Sequence, residues 1–83
     1  MKFKAEIDIM PLEALLDPQG KAVTAGMAKL GMPEVSNVRI GKHITFFVEA
    51  KDKGEAENKV DEACKKLLVN QVMEGYTFRV EEA

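Results

Sequence analysis

The chain has 83 residues, 46% of them hydrophobic and 31% charged, with a formal net charge of −2. That length fits one small domain, which buries only about 60–65% of its unfolded surface and gains from self-association. The slight acid excess points away from a dedicated nucleic-acid binder, no apolar run reaches the roughly 18–20 residues of a membrane span, and one cysteine, Cys64, excludes an intrachain disulfide.

Acids inside the apolar stretch of MKFKAEIDIM exclude a signal peptide, so a soluble, cytoplasmic protein without a membrane partner is expected. Residues 2–9 alternate: Phe3, Ala5, Ile7 and Ile9 share one face, and Lys2, Lys4, Glu6 and Asp8 the other. Period two predicts a half-buried strand, which Pro11 ends because it has no N–H for a ladder. A helix is expected over 17–31. Asp17 is its N-cap, Pro18 takes the first helical position, and Val23, Met27 and Leu30 form the apolar stripe. Gly31 and Pro33 stop it.

Residues 35–41 and 43–50 read as two strands. Gly41 and Lys42 lie between them as a tight hairpin. The second helix opens on Asp52 and Glu55, a D-x-x-E pair resembling a capping box. Its stripe is Ala56, Val60, Ala63, Cys64, Leu67 and Leu68, and Asn70 ends it. A last strand covers 76–81, with Tyr76, Phe78 and Val80 inward. The order strand, helix, strand, strand, helix, strand predicts a single α+β domain over 1–83. Its ferredoxin-like layout has a four-stranded antiparallel sheet with both helices on one face. The open face would carry Lys2, Lys4, Glu6, Asp8, Asn37, Arg39, His43, Thr45, Phe47, Glu49, Thr77 and Arg79. Phe47 is the odd member there, and suits either plain exposure or the centre of a protein contact.

Catalytic patterns are missing. A zinc site wants three or four ligands, yet His43 is the only histidine, and Cys64 sits on the apolar stripe as a core residue. The carboxylates Glu55, Glu57, Asp61 and Glu62 alternate with Lys59, Lys65 and Lys66, the pattern of a solvated helix face. Neither a phosphate loop nor a dinucleotide fingerprint occurs, and one aromatic does not make an RNA-stacking sheet. No catalytic, cofactor or metal site is expected in this chain.

Four stretches together resemble the PurS family: LDPQGKAV at 16–23, Leu-Gly at 30–31, EVSNVRIGK at 34–42, and EAENKVDEACKKLLVNQVMEGYTFRVE at 55–81. The likeness covers nearly the whole chain. It departs at MPLEAL (10–15), where the family has a shorter connection containing glycine. PurS is the small subunit of phosphoribosylformylglycinamidine (FGAM) synthase, an ATP-dependent carbon–nitrogen ligase of de novo purine biosynthesis.

The resemblance implies a non-catalytic adaptor. It would be a homodimer or a dimer of dimers that assembles a PurL-type synthetase with a PurQ-type glutaminase and supports ammonia transfer. ATP and Mg belong to the synthetase. Contact or shape residues carried over are Asp17, Pro18, Gln19, Gly20, Arg39, Gly41 and Lys42, with Phe47 added from the open face. Gly20 costs about 1 kcal/mol of helix stability relative to alanine, which points to close backbone approach by a neighbour. By that reading a Gly20→Ala variant folds better and assembles worse. The competing function is a regulatory module of the ACT type that binds a small molecule. An acylphosphatase would need an arginine in a phosphate-cradling loop after the first strand, and residues 10–16, MPLEALL, have none.

Overall fold

A computed structural model describes residues 1–13 and 15–83. The expected conformation of the 10–15 connection includes residue 14, which lies outside the described residues. The first strand, β1 (Lys2–Pro11), alternates buried and exposed as its sequence dictates. It is the centre of an antiparallel sheet, with β2 (Lys42–Glu49) on one side and β3 (Glu74–Glu82) on the other. Ile7 faces Ile44 on one neighbour and Phe78 on the other, so the three apolar faces coincide.

Helix α2 (Lys53–Ala63) covers that face. Asp52 caps it by accepting from the Glu55 N–H at 2.8 Å. Ala56, Val60 and Cys64 pack against Phe3, Ala5, Ile7, Ile9 and Val80. Burial pushes the Cys64 thiol pKa up, as suits a core residue. The Tyr76 hydroxyl donates to Asp61 Oδ1 at 2.5 Å and ties β3 to α2. That bond, with burial, pushes the phenol up to about 12. The last turn widens at Cys64–Leu68, where the Val69 N–H reaches back five residues to the Cys64 carbonyl. This π-type turn rotates the face by a fraction of a turn. Leu67, expected inward, is therefore 83% exposed, and Val69 is buried instead.

Two expectations need correction. Among the described residues the sheet has three strands, not four, and no hairpin turns at Gly41-Lys42. Residues 35–41 pair with no strand, for a local reason. Asn37 takes the left-handed region at φ 53°, which asparagine tolerates and a strand does not. Next, the Val38 N–H donates to Thr24 Oγ1 at 3.1 Å and the Ile40 N–H to Asp17 Oδ2 at 2.9 Å. Side chains at the first helix have taken the donors that a ladder needs, so Asn37 and Arg39 are not on the open sheet face.

The second correction concerns α1 (Pro18–Lys29). Its boundaries match the sequence signals: Asp17 is the cap, Pro18 comes first, and Gly31 follows at φ 84°. Yet it packs on neither the sheet nor α2. Its neighbour is the return segment 35–40, and the two leave the sheet together as an arm. The radius of gyration is 16.5 Å and the extents are 52 × 26 × 14 Å. A compact chain of this length would have a radius of about 12 Å. Leu30, at the end of the arm's stripe, is 77% exposed.

Candidate assembly interface

Asp17 organises the junction between arm and sheet. One carboxylate oxygen accepts from the Gly20 N–H at 3.0 Å and caps α1. The other accepts from the Ile40 N–H and lies 3.7 Å from Arg39 Nε. The side chain is only 9% exposed. These donors, the Gly20 and Ile40 amides first and the Arg39 charge after them, hold the Asp17 carboxyl below its ordinary pKa. A lowered carboxylate pKa adds stability above the unfolded value, near 3.9, and that stability is lost as pH falls through the folded value. The protection factors of the α1 amides should therefore fall on acidification below about pH 4. Glu6, Asp61, Glu62 and Glu74 are also held down by donors of their own. The difference between wild type and Asp17→Asn isolates the Asp17 share. Asp17→Asn should lose α1 protection at neutral pH and show a flatter acid response there.

Lack of space calls for glycine at Gly20 and Gly41. A Cβ on Gly20 would overlap the Val38 carbonyl oxygen, and one on Gly41 would overlap the Ile9 carbonyl oxygen. Close backbone approach at Gly20 is thus real, but the neighbour is the chain's own return segment. Thr24, which no sequence signal singled out, completes this contact. Its hydroxyl donates to the Gly20 carbonyl at 2.9 Å and accepts from Val38.

Above these contacts lies a cleft of about 460 Å³. Asp17, Pro18, Gln19, Gly41 and Lys42 line one part of it, and Asn70, Met73 and Glu74 another. Lys42 Nζ lies 3.4 Å from Glu74 Oε2, and Glu74 also accepts from the Asn70 N–H. A second groove of about 530 Å³ shares Leu15, Leu16 and Asp17 and includes Arg39. The structure therefore brings together Asp17, Pro18, Gln19, Gly41 and Lys42, with Gly20 buried beneath and Arg39 alongside. Phe47 stands apart on the open sheet face, 58% exposed, with Lys2 Nζ 4.7 Å from its ring centre. Sequence reading missed Asn70, Met73 and Glu74, because only the fold carries that loop back to residue 42.

Asp17 is committed to capping, and Lys42 is paired. Among the described residues no three potential ligands cluster as a metal site. His43 Nδ1 meets Asp8 Oδ1 at 2.6 Å on the open face, away from the cleft. Among the described residues no helix is long and apolar enough to cross a membrane.

A family model described as PurS: Phosphoribosylformylglycinamidine (FGAM) synthase matches residues 4–82. The phosphoribosylformylglycinamidine synthase subunit PurS of Bacillus subtilis is 39% identical over 80 residues, 96% of this chain and 94% of that protein. The Synechocystis subunit of the same name is 45% identical over 67 residues, 81% of this chain and 67% of that protein. Among solved structures, B. subtilis PurS superposes with a TM-score of 0.87 at 39% identity, covering 96% of this chain and 99% of that one. A chain in the structure of PurLQS from Thermotoga maritima superposes with a TM-score of 0.88 at 34% identity, covering 98% and 99%.

Proposed function

The chain belongs to the PurS family, and from that premise we propose that it is the assembling subunit of FGAM synthase in de novo purine biosynthesis. It joins a PurL-type synthetase to a PurQ-type glutaminase in the cytoplasm. It thereby supports ammonia transfer for the ATP- and glutamine-dependent conversion of formylglycinamide ribonucleotide to the formylglycinamidine product. Nucleotide and Mg bind in the synthetase, and the reacting groups belong to the two partners. The T. maritima neighbour comes from a structure of PurLQS, which supports this choice of partners.

The observation that carries the reading is the arm. A helix with an apolar stripe that packs on no element of its own sheet is built to be covered by another chain. We assign that cover to a second copy, which makes the working unit a homodimer. The cleft residues Asp17, Pro18, Gln19, Gly41 and Lys42, together with Arg39 and Phe47, are then contact or shape residues of the assembly. Residues 1–83 act as one domain. The ACT-type alternative has no support in the relatives found.

Sizing of the isolated chain, followed by mixing with PurL-type and PurQ-type subunits with and without nucleotide and glutamine, tests this. A dimer that co-elutes with both is the expected result. A monomer that binds neither under any of these conditions would remove the proposal.

A further inference from the structure

The arm is joined to the sheet in an unusual way. Within the arm, α1 and the return segment are held by Asp17, Gly20 and Thr24. Between residues 16–41 and the rest of the chain, Arg39 donates every hydrogen bond found among the described residues. Its Nη2 donates to the Pro11 carbonyl at 2.9 Å and the Leu12 carbonyl at 3.0 Å. Its Nη1 reaches the Glu13 carbonyl at 3.5 Å. These carbonyls lie at the end of β1, where Pro11 faces Glu74 and the Leu12 carbonyl also accepts from the Leu15 N–H. The Nε edge of the same guanidinium faces Asp17.

We propose that Arg39 is a latch that sets the angle at which the α1 arm leaves the sheet. The planar fork donates from its Nη groups to the end of β1, while its buried Nε makes no hydrogen bond among the described residues and lies 3.7 Å from Asp17 Oδ2 inside the arm. Tilting the arm would break the Nη bonds together. A guanidinium suits this task because its donors are fixed relative to one another. Lysine would supply the charge without the fixed geometry. Gly41 adds the fulcrum, because its backbone rests against the Ile9 carbonyl. The latch concerns the free chain and needs no partner subunit, so its failure and that of the assembly reading are distinguishable.

Residual dipolar couplings of the full chain test the latch, measured with Val23→Lys and Leu30→Lys present so that no second copy holds the arm. With Arg39 in place, amides of α1 and of the three strands should fit one alignment tensor. In Arg39→Ala they should need two, with reduced order for the arm, while α1 chemical shifts stay helical. Arg39→Lys should restore the shared tensor only in part. A single shared tensor in Arg39→Ala would overturn the proposal. So would loss of helical α1 shifts in both variants, since Arg39 would then be a folding requirement for the helix and not a setter of its angle.

Discussion

Gly20→Ala should lower the stability of the arm, whereas Gly26→Ala should raise it. Both sites lie inside α1, and propensity alone favours alanine at each by about 1 kcal/mol. The difference is the neighbour. Nothing lies within 4 Å of a Cβ on Gly26, but a Cβ on Gly20 overlaps the Val38 carbonyl oxygen. Backbone cannot swing aside as a side chain can, and overpacking typically costs about 1–3 kcal/mol. The return segment would have to move and break the Thr24–Val38 and Asp17–Ile40 bonds with it. We expect the thermal midpoint of Gly20→Ala to fall by about 5–15 °C, and α1 amides to lose exchange protection first. The sequence-based expectation of a better-folded variant thus changes sign, because the return segment was not visible to it.

The second large effect belongs to the stripe of α1, where Leu30 is exposed and Val23 and Met27 are half-buried. Val23→Lys with Leu30→Lys should leave the monomer's helix intact. Lysine forms helix at least as well as valine, Leu30 is already exposed, and a cation at the helix C-terminus is favoured. In a water-excluding dimer contact the same charges cost several kcal/mol. The dimer dissociation constant should rise by at least about 100-fold, read by analytical ultracentrifugation while the helical circular dichroism stays constant. An unchanged dissociation constant would place the self-contact elsewhere.

Much of the fold was legible in local signals. Alternation fixed β1 and β3, caps fixed the starts of α1 and α2, and Gly31 fixed the end of α1, while the expected end of the second helix at Asn70 lies beyond both Ala63 and the π-type turn that follows. The misses share one cause. The segment 35–41 has strand-like alternation at Val38 and Ile40, but its donors are taken by Asp17 and Thr24, many residues away in the chain. Asn37 was the one local hint, since asparagine visits the left-handed region. The position of α1 was hidden for a related reason. An apolar stripe says that a helix will be covered, and it does not say by which chain. Leu67 was misread because a π-type turn leaves no mark in the spacing that precedes it. For the candidate site, DPQG and RIGK were visible as motifs. Their convergence on one cleft, with Glu74 and Asn70 from the far end of the chain, exists only once the chain has folded.

The central claim is that this chain joins glutaminase to synthetase. The most direct measurement is FGAM formation by PurL-type and PurQ-type subunits, with and without the chain, using glutamine and then ammonia as nitrogen source. We predict that the glutamine-dependent rate depends on the chain while the ammonia-dependent rate does not. An equal glutamine-dependent rate without the chain would contradict the account.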